Sequence, residues 1–490
     1  MRSLSELKPA PVWTYFEEIC NIPRISRDEG RIRKYLLDFA RKNNLESKED
    51  TVGNILIIRE PSSGMEKAKT IVLQSHMDMV GEKNADNPHN WKTDPIRPVI
   101  NNGWVTASGT TLGADDGIGI AAQMAILTDK SLKTGKVECL FTVDEESGMT
   151  GALNLKPDFF TGRVLLNLDS EDEGILYIGC AGGMDTLGTI KYTQAPVNKN
   201  SCALEISVTG LRGGHSGDEI HKGFGNAVKI INSIIIRLSE EFDINLAHLN
   251  AGNLRNAIPR EAFATIVARS SMKESIEKAV ADLYENTLLN FIYLEKDLKI
   301  AVKLTEIPEF TMDKESQKKL TDAIDCCPHG VIAWSKDMDD LVETSTNLAS
   351  AKFADNNTVV IVTTQRSSTE SAKKETADKV VECLRKANAD IKHSDGYPGW
   401  KPDLNSEILN ITRSSYRKLF GKEPLVKAIH AGLECGLIYE TFSGIDMISF
   451  GPTIRGAHTP EEKIDINSTM MFWQLLTDVI HNIPETEQEN

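Results

Sequence analysis

The segment TIVLQSHMDM, residues 70–79, shows most clearly which kind of fold the chain adopts. It begins with a short apolar run typical of a buried strand, and His76 and Asp78 follow at the end of that run. Comparable runs are NILII (54–58), VECLFTV (137–143) and VLLNLD (164–169). Helical patterns accompany them, namely GRIRKYLLDFARKN (30–43) and GIGIAAQMAILTD (117–129). This alternation predicts an α/β fold with a mixed sheet flanked by helices.

A second kind of unit begins after Gly179. The segment SCALEISVTG (201–210) alternates apolar and polar residues, which is typical of a strand with one face in solvent. Strand and helix patterns continue to the turn-rich stretch HSDGYPGWKPD (393–403), after which helix, strand and helix patterns resume. We therefore predict a catalytic domain formed by residues 1–185 and 398–490, interrupted by an inserted α+β domain of residues 186–397.

The composition excludes several classes of function. The chain has 490 residues and a formal charge of -16 at pH 7, which argues against nucleic acid or an anionic membrane as partners. It has no apolar run of 18 residues and no basic-then-apolar start, so we predict a cytoplasmic protein. The eight cysteines form no CxxC pair, which predicts reduced core thiols rather than disulfides or a zinc knuckle.

Histidine and carboxylate residues recur just beyond the predicted strands, where open α/β sheets bind their ligands. The five motifs are SHMDM (75–79), LGADDG (112–117), TVDEESG (142–148), NLDSED (167–172) and RGAHTPEEK (455–463). Taken alone, a His and an Asp at a strand end, as in SHMDM, are more often structural, and the acidic pairs of LGADDG and TVDEESG are also compatible with hydrated or solvated turns. Together they supply two histidines and three or four carboxylates, which is what a site for two divalent cations needs.

Local geometry predicts how these side chains divide the work. Residues two apart in an extended segment point the same way, so we expect Asp78 to orient the ring of His76. Consecutive side chains in extended backbone diverge, so we expect one of Glu145 and Glu146 to bind metal and the other to act as general base.

Five stretches carry a resemblance to a known group of enzymes: SHMDMVGEKN, LGADDGIGIA, DEESGMTGA, LLNLDSED and HAGLECG. They resemble the aminoacylase and carboxypeptidase-G type of metallopeptidases, and the resemblance extends over nearly the whole chain. Within that group they are most similar to the aminoacyl-histidine dipeptidases, the cytosolic enzymes that split carnosine.

The resemblance implies a role for each metal-site residue. The implied ligands are His76, Asp169 and the bridging Asp115 for one ion, and Glu146, His458 and again Asp115 for the other. It further implies that Glu145 is the general base and that Asp78 lies behind His76. Asp116 is expected to shape the bridging loop without binding metal.

The resemblance also implies that the inserted domain is a lid that contacts the substrate. His215 in GLRGGHSGDE is expected to polarise the scissile carbonyl, and Asn256 in AGNLRNAIPR to contact substrate. Arg366 is a candidate for binding the substrate carboxylate, with an ordinary surface position as the alternative. His430 and Glu434 in HAGLECG are candidates for the pocket around the substrate amino terminus, with helix capping or core packing as the alternative.

The leading hypothesis is metal-dependent hydrolysis of dipeptides, including Xaa-His dipeptides such as carnosine. In this hypothesis two cations lower the pKa of a shared water, and Glu145 accepts its proton. An aminotripeptidase, an N-acyl amino acid deacylase or an inactive binding protein are the alternatives. We expect two divalent ions per chain, zinc in preference to manganese or cobalt, and either a monomer or a homodimer formed through the lid.

Overall fold

The fold is described by a computed structural model, which covers residues 3–485. The chain forms two compact units. The first comprises the described residues up to Gly179, then Trp400–Ala428, and those from Leu433 onward; the second comprises Cys180–Gly399 and Ile429–Gly432. The boundaries thus fall at 179/180 and 399/400, where the sequence suggested 185/186 and 397/398. The short segment Ile429–Gly432, which the sequence assigned to the catalytic domain, groups with the second unit instead.

The α-helices, numbered in chain order, are Ala10–Cys20 (α1), Gly30–Lys42 (α2), Ala114–Thr128 (α3), Glu145–Gly148 (α4), Thr150–Asn154 (α5), Ala227–Phe242 (α6), Lys273–Phe291 (α7), Lys314–Cys326 (α8), Glu370–Lys386 (α9), Glu407–Phe420 (α10), Glu434–Thr441 (α11) and Ile466–His481 (α12).

The first nine strands are Glu46–Glu49 (β1), Ile55–Arg59 (β2), Ile71–His76 (β3), Pro98–Asn101 (β4), Trp104–Ala107 (β5), Val137–Thr142 (β6), Val164–Asn167 (β7), Ile175–Cys180 (β8) and Gly182–Lys191 (β9). The next eight are Gln194–Pro196 (β10), Ser201–Thr209 (β11), Gly214–His215 (β12), Asn245–Gly252 (β13), Ala257–Ile258 (β14), Ala262–Arg269 (β15), Lys299–Thr305 (β16) and Phe310–Met312 (β17). The remaining strands are Gly330–Trp334 (β18), Val342–Ala354 (β19), Thr358–Ser367 (β20), Asp390–His393 (β21), Leu425–Ile429 (β22), Asp446–Ser449 (β23), Ile454–Arg455 (β24) and Lys463–Asp465 (β25).

Within residues 3–485, the first unit is built on an eight-stranded sheet in the order β1-β2-β6-β3-β7-β23-β8-β22. Strand β3 runs parallel to β6 and β7, and β23 runs parallel to β7. The pairs β1–β2 and β2–β6 are antiparallel, so the sheet is mixed, as predicted. Strands β3, β6 and β7 are buried along their whole length, because helices such as α3 and α10 pack on the sheet. Double-sided burial explains why these strands are mostly apolar in the sequence, with Gln74, Ser75 and Glu138 among the few buried polar residues.

This strand order decides where the site lies. The parallel strands β6, β3, β7 and β23 are neighbours, so their carboxyl ends meet at one edge of the sheet. Four of the five histidine and carboxylate motifs follow these strand ends, directly or through a short loop. Residues that are up to about 380 positions apart in the chain are thereby collected at one edge, which is the usual ligand-binding edge of an open α/β sheet.

The second unit is an α+β structure. Its main sheet, within the described residues, has nine strands in the order β16-β11-β15-β13-β19-β20-β9-β21, with β18 also paired to β19, and the pairs are antiparallel. Helix α6 buries a stripe of isoleucines against it, and the Asn226 side chain caps the helix by accepting from the N–H groups of Val228 and Lys229. Apart from the buried Ala203, strand β11 alternates between buried and half-buried residues, as its period-2 pattern predicted.

One expectation is wrong in the second unit. Cys326 and Cys383 form a disulfide, with Cα atoms 5.4 Å apart, whereas the sequence predicted reduced thiols throughout. The pair joins α8 to α9, two helices that pack side by side, and a separation of 57 residues gives no local signal of this proximity. The other six cysteines of residues 3–485 are buried and form no disulfide. Among the helices of the same residues, none has the length and apolar character needed to cross a lipid bilayer.

Candidate metal centre

His76 is the centre of the first group of metal-binding side chains. It ends β3 and is 1% exposed. Its Nε2 atom lies 3.1 Å from Asp115 Oδ1 and 3.2 Å from Asp169 Oδ1, while Nδ1 lies 3.4 Å from Asp78 Oδ1. One ring nitrogen therefore faces two carboxylates at the strand end, and the other faces the aspartate behind it. This is the arrangement that orients a histidine toward a metal ion.

His458 is the centre of the second group. Its Nε2 atom lies 3.3 Å from Asp115 Oδ2 and 2.9 Å from Glu146 Oε2. Asp115 therefore directs one carboxylate oxygen to each histidine. The donor atoms of His76, Asp115 and Asp169 lie within 4.8 Å of one another, and so do those of Asp115, Glu146 and His458. Two such groups sharing one carboxylate fit a pair of divalent cations with mixed nitrogen and oxygen ligands.

The carboxylates of these groups raise the pKa of both histidines. Burial alone would lower the pKa of His76, but Asp169, Asp115 and Asp78 raise it well above the usual value. Hydrogen bonds to Asp115 and Glu146 raise the pKa of His458 to about 11. Burial raises the pKa of the Asp169 carboxyl to about 7. A cluster that holds its histidines protonated in this way is one in which bound cations would supply the same compensation.

The Asp115–Asp116 pair lies at the start of α3, and both residues depart from helical backbone angles. Burial would raise the pKa of Asp115, but the hydrogen bonds from His458 and His76 hold it well below its usual range. Asp116 is 1% exposed, accepts a hydrogen bond from the Gly119 N–H and belongs to neither ligand group. The two adjacent aspartates therefore have different surroundings.

Glu145 and Glu146 form the first turn of the short helix α4, which corrects the expectation of extended backbone. The left-handed conformation of Asp144, with φ of 53°, turns the chain from β6 into this helix. Successive helical side chains are about 100° apart, so the two carboxylates still diverge. Both backbone N–H groups donate to the buried Asp78 carboxylate, over 3.0 and 3.2 Å. Burial, Asp169, Glu434 and Glu146 raise the pKa of Glu145 well above its usual value, although His76 opposes them.

Glu434 lies in the first unit as a fully buried residue of α11. Its Oε2 atom accepts hydrogen bonds from Gln74 Nε2 and Thr142 Oγ1, both over 2.7 Å, while Oε1 has no partner in the described part of the chain. Burial raises the pKa of this carboxyl to about 7. Gln74 and Thr142 belong to β3 and β6, so Glu434 contacts the strands that carry the metal-binding residues.

The remaining predicted site residues lie in the second unit. His215 and Asn256 are neighbours, because β12 pairs with β14 and the Ser216 N–H donates to the Asn256 carbonyl over 2.9 Å. Both line a cavity of about 730 Å³. Asp218 lies beside His215, with Oδ2 3.4 Å from the Nδ1 atom of that histidine.

Arg366 and His430 are both 6% exposed, so the surface alternative for Arg366 is wrong. Arg366 Nη1 donates to Tyr397 Oη over 2.7 Å, and its Nε has no hydrogen-bond partner among residues 3–485. His430 Nε2 lies 2.7 Å from Ser345 Oγ. Burial, reinforced by Arg366, lowers the pKa of His430 to about 3, so this histidine is neutral.

Two buried charged residues at the metal centre escaped the sequence analysis. Arg24 donates to the backbone carbonyls of Met77, Asp78 and Gly113. Glu462 accepts from the backbone N–H groups of the loop that leads to Asp115. Glu462 lies inside the RGAHTPEEK motif, four residues after His458, and this closeness could have indicated a role at the metal centre. Nothing in the sequence around Arg24 indicates such a role.

The fold and the centre define a metal-dependent hydrolase of the α/β class. The chain belongs to peptidase family M20/M25/M40, whose model matches residues 72–482. It is 40% identical over 486 residues to the cytosol non-specific dipeptidase of Escherichia coli (strain K12). This alignment covers 99% of this chain and 100% of that relative.

Solved structures agree with this assignment. The aminoacylhistidine dipeptidase of Vibrio alginolyticus has a TM-score of 0.92 at 38% identity, covering 99% of both chains. The aminopeptidase PepT of Bacillus cereus ATCC 10987 shares the fold, with a TM-score of 0.58 at 18% identity over 97% of this chain and 99% of its own. The predicted resemblance, fold class and hydrolase character are therefore confirmed, and the chain is a metallopeptidase whose family binds divalent cations.

Proposed function

We propose that this metallopeptidase is a cytosolic dipeptidase, with Xaa-His dipeptides such as carnosine among its substrates. The observation that carries the proposal is Asp115, whose two oxygens each face a separate histidine–carboxylate group at one sheet edge. The proposal is supported by the two relatives that match nearly the full chain, one a non-specific dipeptidase of the cytosol and the other an aminoacylhistidine dipeptidase.

The proposed ligands are His76, Asp115 and Asp169 for one cation, and Asp115, Glu146 and His458 for the other. Mixed imidazole and carboxylate ligands of this kind suit zinc, and manganese or cobalt can use the same set. When bound, two such cations supply Lewis acidity and lower the pKa of water near them. His76 is held ready for this role by Asp78, because the Oδ1 atom of Asp78 faces the second ring nitrogen.

Glu145 is the proposed general base. It takes the proton of the attacking water and then delivers it to the leaving amine of the cleaved peptide bond. Its position is set by Asp78, which accepts the backbone N–H groups of both Glu145 and Glu146 and so holds base and ligand on one helical turn. A carboxyl whose pKa is raised by its surroundings is suited to both halves of this proton transfer.

The second unit is the proposed lid. His215 is assigned to polarise the scissile carbonyl, and its neighbour Asn256 to contact substrate. Arg366 is assigned to the substrate carboxylate, supported by its buried guanidinium with an unused Nε donor. Glu434 is assigned to the substrate ammonium group, supported by its unpartnered Oε1 atom, and His430 is assigned to substrate binding.

The test is a substrate panel on the metal-loaded protein. It contains β-alanyl-histidine, several α-dipeptides, a tripeptide and an N-acetyl amino acid. Hydrolysis of dipeptides that is lost in Glu145→Gln, but kept in a control that changes the exposed Glu440 to Gln, supports the proposal. Turnover restricted to the tripeptide or to the acetylated compound contradicts the dipeptidase assignment. Two bound metals without any turnover would favour the binding-protein alternative.

We further propose a homodimer formed through the second unit. Strand β16 lies at the end of the strand order, and its Leu304 is 62% exposed. An edge strand with an exposed apolar side chain is a surface on which a second copy can pair. Sedimentation velocity should show a dimer that Leu304→Lys weakens, and a monomer at all concentrations would contradict the proposal.

A further inference from the structure

The loop that carries the bridging aspartate is anchored by a single buried carboxylate. Glu462 is 2% exposed. Its Oε2 atom accepts from the N–H groups of Leu112 and Gly113, over 2.7 and 3.0 Å. Its Oε1 atom accepts from those of Ala114 and Asp115, over 2.7 and 3.4 Å. Four successive backbone donors thus converge on one side chain, and the last of them belongs to Asp115 itself.

The same loop is held from its carbonyl side by a buried cation. Arg24 is 2% exposed and donates to the Gly113 carbonyl. It also donates to the carbonyls of Met77 and Asp78, over 2.9 and 2.6 Å. His76 is the last residue of β3. Arg24 therefore ties the loop that follows His76 to the loop that carries Asp115.

Glu462 adds a third loop to this arrangement. It follows His458 by four residues, so its contacts tie the His458 loop to the Asp115 loop. His458 has a φ of 62°, in the left-handed region that residues other than glycine rarely adopt. Such a conformation persists only where surrounding contacts hold it. The buried carboxylate of Glu462 accepts charge-assisted hydrogen bonds from the Asp115 loop, and so fixes the chain to that loop four residues after His458.

We propose that Glu462 is a positioning residue, which sets the separation between Asp115 and His458 and thereby the affinity of the chain for the cation those two residues share. The inference rests on the proposed two-metal centre. A carboxylate is required because both of its oxygens accept from two N–H groups each. A glutamine would place an amide NH₂ against two N–H donors, so half of the anchor would become repulsive.

The test is a cobalt titration of the metal-free protein. Binding is measured by calorimetry and by the visible absorption of the bound ions. The variant is Glu462→Gln, and the matched control is Glu461→Gln, which removes the same charge from the exposed neighbour. We expect wild type and control to bind two ions. In Glu462→Gln the site that Asp115 shares with His458 should lose affinity by about tenfold or more, as is usual when a residue behind a metal ligand is changed, and its absorption band should shift.

The outcomes separate the inference from the proposed function. A wild type that binds fewer than two ions overturns the two-metal centre, and the inference falls with it. Two ions bound by Glu462→Gln with wild-type affinities and spectrum overturn the inference alone, even if the variant is less heat-stable. If Glu462→Gln does not fold, Glu462→Asp is the test variant, because its side chain keeps the charge but is shorter by one methylene group. An unchanged affinity at the site that Asp115 shares with His458 in that variant also overturns the inference.

Discussion

Replacement of Glu434 by glutamine should make the metal-free protein more stable and should raise the KM of the metal-loaded enzyme for dipeptides. The Glu434 carboxyl is fully buried, its Oε1 has no partner, and burial raises its pKa from 4.5 to about 7. A group whose folded pKa lies above its unfolded value binds more protons when folded. The stability contributed by its protonated form is therefore lost as the pH rises from about 4.5 through about 7.

The magnitude follows from the shift. Each pKa unit corresponds to about 1.4 kcal/mol, so ionised Glu434 lowers the free energy of unfolding above pH 7 by about 3 kcal/mol at most. Glutamine avoids this cost and can keep both existing contacts, because its amide oxygen can accept from Gln74 and Thr142 as Oε2 does. We expect Glu434→Gln to gain about 2 kcal/mol at pH 8 and little at pH 4.5.

The assay is urea unfolding with chelator at both pH values, with Glu440→Gln on the exposed face of the same helix as control. Dipeptide kinetics on the metal-loaded proteins should show a raised KM in Glu434→Gln, because the proposed partner of the substrate ammonium is gone. A variant that is less stable than wild type at pH 8, or equally changed at both pH values, would refute the reasoning, because Glu434 would then be ionised and paired.

Three other perturbations have defined outcomes. Chelation should abolish activity and lower the unfolding temperature, and restoring zinc at 100-fold its Kd should return about 2.7 kcal/mol of stability for each site; a chelator-insensitive enzyme would contradict the metal centre. Arg366→Lys should raise the KM for dipeptides about tenfold with little change in kcat, because lysine cannot form the paired hydrogen bonds of a guanidinium. A lower kcat with an unchanged KM would indicate instead that the arginine only supports Tyr397. Thiol counting in denaturant should find six reactive cysteines before reduction and eight after it, and eight in both would contradict the Cys326–Cys383 pair.

Much of the fold was predictable because burial leaves a local signature. Strands β3, β6 and β7 are buried on both faces, so each carries a short apolar run of three or more residues. The residues at the ends of such strands, His76 and Asp169 among them, could then be assigned to one edge of the sheet. The alternation of β11 likewise predicted a sheet with a half-exposed face.

Other features were decided by contacts between distant parts of the chain, which have no local signature. Nothing near Arg24 predicts that its guanidinium reaches three carbonyls of two loops, and nothing near Glu462 predicts four N–H donors around it. The helical turn at Glu145 depends on the buried Asp78 carboxylate, and the Cys326–Cys383 pair depends on how two helices pack. The sequence by itself determined which residues stand at the strand ends, because apolar burial is recorded residue by residue. The tertiary structure decided the direction of each oxygen and ring nitrogen, because those directions follow from hydrogen bonds to residues far away in the chain.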